Sequence, residues 1–302
     1  MEDIRKRIRI SKYWDHVFAI VGLLSSFIGL ALLFTLFLDL FIDGSPRLSY
    51  KFFTSFPSRF PEEAGILAAW VGTTLVMVVT ALAAIPLGVA AGIYLEEYAR
   101  KNWFTDIIEI NVANLAGVPS IIYGLLALGV FVYFLKFGES ILTGGFALAL
   151  LILPVVIMST RESIRAIPNS IREASYALGA TKWQTVKWHI LPYSTGGILT
   201  GIIIGLSRAI GETAPLITVG ALTFIAFLPS SPISSDFPFI SFKWLSDPFT
   251  VMPIQIFNWV SRPQKGFHLN AAAAGIVLLM MTLLMNAVAI YIRYRFRKKI
   301  KW

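Results

Sequence analysis

The sequence predicts an all-α membrane protein with six transmembrane helices, and three observations carry that prediction. Of the 302 residues, 56% are hydrophobic and only 14% charged, with a mean hydropathy of +0.72; so few charges cannot coat a soluble surface of this size. Six apolar runs each reach or exceed the roughly 20 residues that cross a hydrocarbon core. Lysine and arginine are also unevenly divided: 18 fall in connections on one side and 7 on the other, and Arg208 stands inside a span, which accounts for all 26. The positive-inside bias then places both termini in the cytoplasm, as an even number of spans requires.

Taken in order, residues 1–16 form a basic cytoplasmic N-terminus and 17–41 the first span. Its apolar run is too long for a cleaved leader and has no small-residue cleavage site near Asp39, so it reads as an uncleaved anchor. Spans two to four fall at about 64–95, 110–135 and 140–160. A polar stretch, 161–192, separates them from spans five and six at 193–226 and 269–292, and a basic cytoplasmic tail, 293–302, follows the transmembrane domain of 17–292. Directly after a span, that tail reads as a contact to anionic lipid rather than to nucleic acid. The external connections 41–63 and 227–268 are proline- and aromatic-rich, the second with six prolines. They read equally as ordered partner-facing loops or as a cover over the bundle ends.

The 161–192 stretch is polar but organised. Pro168-Asn169-Ser170 looks like a helix start, and Ser170 with Glu173 three residues on fits a capping box. Ile171, Ala174 and Leu178 share one helical face, Gly179 breaks the helix, and Trp183, Val186 and Ile190 make a second apolar stripe before Leu191-Pro192. A short amphipathic helix on a cytoplasmic loop is a docking element.

The second signal is Ser207-Arg208-Ala209-Ile210-Gly211-Glu212-Thr213-Ala214-Pro215-Leu216, in the only span interrupted by charge. An arginine and a glutamate there must face protein or water. At i, i+4 they can pair on one helical face, while Gly205, Gly211 and Gly220 allow close helix approach and Pro215 invites a kink. The pair is either a packing device or a polar patch on a solute pathway. In the second case Arg208 offers planar, permanently charged donors to a tetrahedral oxyanion, Glu212 tunes it, and Thr213 adds a neutral donor. Gly117 to Gly124 reads as a kink or packing site, and Asn111 and Asn114 as interfacial residues that could line an inner exit.

Glu173-Ala174-Ser175, Gly179 and Leu191-Pro192 resemble the EAA loop of ABC-importer permeases, which sits in a groove of the ATPase. Ser175 stands where a second alanine is usual, and His189 where the pattern has isoleucine. The Ser207 to Leu216 string, with Ala116-Gly117-Val118-Pro119-Ser120-Ile121-Ile122-Tyr123-Gly124, resembles phosphate-specific transport (Pst) permeases of the PstA type over most of the chain. That resemblance implies a type I ABC-importer architecture with Ser170, Glu173, Ala174, Leu178, Gly179, Leu191 and Pro192 at the ATPase, and Arg208, Glu212 and Thr213 on the phosphate path. It further implies a PstC-type permease, two PstB-type ATPases and a PstS-type external binding protein as partners, with ATP and Mg bound by the ATPase and no cofactor in this chain.

Other classes fit less of the sequence. There is no Gly-Lys pair, hence no phosphate-cradling loop of the GxxxxGK[ST] kind. Cysteine is absent, and His16, His189 and His268 are scattered, so no metal spacing is present. No nucleophile stands with a base, as an enzyme would need. A secondary anion transporter would not need a docking helix, and a permease for molybdate or sulphate is the nearest alternative, since one arginine does not separate tetrahedral anions.

Overall fold

The computed structural model describes residues 2–233, 239 and 241–299, and these form a helical bundle with two distinct ends. Twelve α-helices are described: α1 (Glu2–Gly44), α2 (Tyr50–Thr54), α3 (Leu67–Ile93), α4 (Trp103–Leu115), α5 (Ser120–Ala127), α6 (Ile141–Arg165), α7 (Asn169–Ala177), α8 (Lys182–Thr185), α9 (Leu191–Ala209), α10 (Ala214–Thr218), α11 (Met252–Val260) and α12 (Lys265–Lys299). Wide π turns prolong α3 (Tyr94–Tyr98) and α5 (Leu128–Phe134), and another joins α8 to α9 (Val186–Ile190). Five helices are long and apolar enough to cross a membrane, and a bent pair makes a sixth crossing. Residues 300–302 of the basic tail, and Pro238 of the long connection, lie outside the described residues.

Helices α3, α6 and α9 form the centre, with α6 buried along most of its length. Small residues set the crossings. A Cβ on Gly197 or Gly201 of α9 would run into the side chains of Ser163 and Ser159 of α6, and Gly88 and Gly92 of α3 meet Val156 and Thr160 in the same way. Apolar helices in lipid gain no water-exclusion energy by pairing, so close backbone approach and dispersion hold them together. Helix α12 packs on α9 and α11, and α1 lies against α12 with its apolar window otherwise uncovered.

One end of the bundle, the loop end, carries the end of α3, the start of α4, the end of α6 and α7. At the far end, Gly44 abuts Ala273, Gly72 abuts Thr250, Ile141 N–H donates to the Asp247 carbonyl and Met252 N–H to Thr73 Oγ1.

Four expectations change. The third span is not one helix: α4 and α5 meet at a 107° bend over Ala116-Gly117-Val118-Pro119, because proline supplies no N–H and pushes Val118 out of the helical region. The fifth span does not run to 226; α9 stops at Ala209, a turn follows, and Pro215 starts the short α10 at one of its first positions. The Ser170–Glu173 capping box is not formed: α7 begins at Asn169 with Pro168 before it and no side-chain cap, while the capping box of this region is Thr181 with Gln184. The long 227–268 connection also holds a helix, α11, whose Met252, Ile254 and Trp259 are fully buried against α12 and α3. That half of the connection is a bundle cover.

Candidate transport pathway and coupling face

Arg208 sits in the last turn of α9, about 26 Å along the helix from Leu191. Its neighbours Ala209 and Ile210 pack beside Leu148 of α6, which lies about 10 Å below that helix's far-end start. The charge therefore stands in the outer third of the bundle. Arg208 Nε lies 3.3 Å from Glu212 Oε1, although the helix ends between them; the turn keeps the i, i+4 reach by continuing a right-handed path through Ile210. The Arg208 side chain is 39% exposed and that of Glu212 19%, and both Nη groups of Arg208 are without a hydrogen-bond partner among the described residues. A half-open guanidinium whose Nε is held by a carboxylate presents two donor groups to whatever occupies the space beside it. Thr213 follows as the residue before α10; its backbone carbonyl accepts from Leu216 and Ile217, and its hydroxyl makes no bond among the described residues.

The sequence strings 116–124 and 207–216 come together here. A Cβ on Gly124 of α5 would strike Thr218 Oγ1 and the backbone of Pro215 in α10, so this glycine permits the α5–α10 contact, as the packing reading of it expects. Tyr123, buried, donates to the Leu115 carbonyl across the bend at 2.6 Å. Of the three glycines expected to allow close approach, Gly205 faces Ile152 at ordinary contact and Gly220, at φ +87°, lies against Glu139, but Gly211 has open space before it. Ser207, on the other side of α9, donates to Asn286 Oδ1 of α12 at 2.6 Å. That bond fixes the rotation of α9 and so the direction in which Arg208 points.

At the loop end, α7 presents Ser170, Glu173, Ala174 and Leu178 outward, with Leu178 90% exposed. Glu173 makes no bond among the described residues. The inner side of α7 is Ile171, half-buried among Ile164, Ile167 and Ile190, and the buried Ser175, whose hydroxyl lies 2.9 Å from that of Thr185. Thus Ile171 faces in while Ala174 and Leu178 face out. Gly179 has φ +81° and ends α7, so the break requires glycine. In the following stripe Val186 and Ile190 are fully buried, but Trp183 is exposed. Leu191 and Pro192 open α9 directly after the π turn, so the missing proline N–H falls where the helix departs from regular i, i+4 bonding.

Sequence reading missed an ionic lattice at this end. Arg161, 2% exposed, pairs with Glu109 at 2.7 Å and Glu96 at 3.4 Å, Arg165 contacts the same two carboxylates, and Arg172 holds Glu97 at 2.7 Å. These charges come from α3, α4, α6 and α7. Their sequence separations hide the pairing, and the only local clue was that Glu96 and Glu97 close an apolar span beside an arginine-rich stretch.

Residues 84–302 match the family described as the binding-protein-dependent transport system inner membrane component. The chain belongs to that family. As members of it, such chains are permease subunits that work with a binding protein and an ATPase, and this one is accordingly a multi-pass membrane protein. It is 32% identical to the probable ABC transporter permease protein YqgI of Bacillus subtilis (strain 168) over 89% of this chain and 92% of that one. It is 31% identical to the phosphate transport system permease protein PstA of Yersinia pestis over 99% and 95%. The fold also matches, at 15% identity and a TM-score of 0.65, a crystal structure of a bacterial alginate ABC transporter in complex with an alginate pentasaccharide-bound periplasmic protein, covering 91% of this chain and 93% of that one.

Proposed function

We propose that this chain is the PstA-type permease subunit of an ATP-driven phosphate importer in a bacterial cytoplasmic membrane. The observation that carries the reading is Arg208: a permanently charged side chain, open at both Nη groups and held by Glu212, at the end of an otherwise apolar span. Its planar donors suit a tetrahedral oxyanion, and the internal carboxylate competes with the anion so that binding stays weak enough for release. The likeness to PstA permeases over nearly the whole chain selects phosphate among the oxyanions.

In this reading a PstS-type protein delivers phosphate at the far end, a PstC-type permease completes the pathway, and two PstB-type ATPases, which bind ATP and Mg, seat the exposed face of α7 and its counterpart. The lysine and arginine bias supports a cytoplasmic loop end with both termini on that side, the basic tail against anionic lipid. ATP-driven closure displaces α7, and the permease pair rocks between outward-open and inward-open states as packed bodies. Arg208 is the transient anion contact, Glu212 its tuning partner and Thr213 a neutral donor. Ser170, Glu173, Ala174 and Leu178 meet the ATPase, and Gly179, Leu191 and Pro192 shape the turn and the entry into α9.

The test is uptake of labelled phosphate by cells relying on this subunit, with sulphate and molybdate as competitors, beside Arg208→Gln at matched membrane abundance. Phosphate-selective uptake that collapses in the variant supports the reading. Uptake displaced by sulphate or molybdate points to another oxyanion, and full uptake in the variant makes the charge pair a packing device.

A further inference from the structure

Helix α7 carries two charges, and they point in opposite directions. Glu173 faces out, whereas Arg172 turns in and uses every nitrogen of its guanidinium. Nε and Nη2 donate to Glu97 Oε1 at 3.0 and 2.7 Å; Nη2 also donates to the Ile164 carbonyl at 3.1 Å, and Nη1 to the Ile167 carbonyl at 2.8 Å and Asn169 Oδ1 at 3.3 Å. Ile164 and Ile167 flank the end of α6, where a cation complements the carbonyls of the last turn and the helix dipole. Glu97 belongs to the π turn that ends α3, and its side chain is 5% exposed, against 15% for Arg172. One side chain therefore joins three helices through bonds shielded from water. The other lateral link of α7, Ser175 to Thr185, is a single neutral hydroxyl pair, and charge-assisted bonds are about twice as strong as neutral ones.

We propose that Arg172 and Glu97 are positioning residues that make α7, the end of α3 and the end of α6 one moving unit. This rests on the importer reading. Displacement of α7 reaches α9 along the chain through Lys182–Thr185 and the turn that follows. It reaches α6 along the chain through 166–168 and by the packing of Ile171 on Ile164 and Ile167, whereas this clamp is the one ion pair that ties α7 to the end of α3 among the described residues. Without the clamp an ATPase could swing α7 while the end of α3 stayed behind.

Glu97→Gln is the decisive variant, since it removes the charge but leaves Arg172 to cap α6. In the complete transporter reconstituted in liposomes, solute moved per ATP hydrolysed should fall about fivefold or more, with hydrolysis largely retained, and Glu97→Asp should restore the ratio. If hydrolysis and uptake fall together at a constant ratio, the clamp is only a stabilising brace and the proposal fails. A second readout needs no solute. In a chain free of native cysteine, spin labels at Tyr94→Cys and Tyr176→Cys should keep one distance in the nucleotide-free and ATP-trapped wild-type complex, and shift by about 2 Å or more in Glu97→Gln. A wild-type distance that changes between the two states overturns the proposal even if phosphate proves not to be the solute. Constant distance with no phosphate uptake would instead remove the phosphate assignment and leave the clamp standing.

Discussion

Arg208 and Glu212 make separable predictions because, in the proposed reading, one binds and the other restrains. Arg208→Lys keeps the charge but loses the planar fork, and losing one charge-assisted bond of about 1.5 kcal/mol should weaken apparent phosphate affinity roughly tenfold. The concentration dependence of uptake measures this directly. Glu212→Gln should do the reverse, lowering KM while also lowering the maximal rate, because an arginine freed of its partner holds the anion longer. A rise in KM would assign Glu212 to binding instead. Both charges were legible in the sequence, since a lone pair inside an apolar run is conspicuous. Arg172 was not: its partner Glu97 lies 75 residues away, and nothing in the local pattern of α7 distinguishes an arginine turned inward from one in solvent.

Among the elements, α7 shows what periodicity can deliver. The spacing of Ile171, Ala174 and Leu178 located the helix to within a residue, yet only Ile171 faces the bundle. On this helix apolar residues occupy both faces, so a single stripe cannot say which is buried. Gly179 was readable because no other residue adopts its φ of +81° without strain. Gly179→Val should cost about 1–2 kcal/mol at that turn and redirect α7, reducing transport per ATP hydrolysed while the chain still assembles with its ATPase; unchanged stoichiometry would reduce Gly179 to a passive stop. The breaks at 116–119 and 210–213 were harder to read, because glycine and proline inside an apolar run fit a kinked helix as well as a broken one. Only the contact of Gly124 with Pro215 and Thr218 shows that the two breaks lie together. Gly124→Leu should overpack that contact by about 1–3 kcal/mol, seen as a lower melting temperature of the purified complex, whereas Asn111→Ala, on an exposed face of α4, should leave it unchanged.

For the whole molecule, composition and charge distribution decided the class, and the path of the chain agrees. The bent α4–α5 pair counts as one crossing, so the start of α1 and the end of α12 fall at the same end as α7. With no native cysteine, single replacements can test the sides: Ser261→Cys should react with an impermeant maleimide in intact cells and Ala180→Cys only after permeabilisation. Labelling of both from outside would remove the proposed orientation. What composition could not supply is the packing order, because every span is apolar and lipid accepts any of them. The α3–α6–α9 centre is selected by where glycine, serine and threonine let backbones approach, a steric property that hydropathy does not register.

The placement of Arg208 in the outer third of the bundle has an electrical consequence. A bacterial membrane is negative inside, and carrying one elementary charge across costs about 2.3 kcal/mol per 100 mV, twice that for a divalent anion. With the far end outside, an anion resting on Arg208 has traversed only a small part of that voltage drop, so its capture is nearly independent of membrane potential. In the proposed reading the uphill work then falls on the passage below Arg208, the stage assigned to nucleotide-driven rocking.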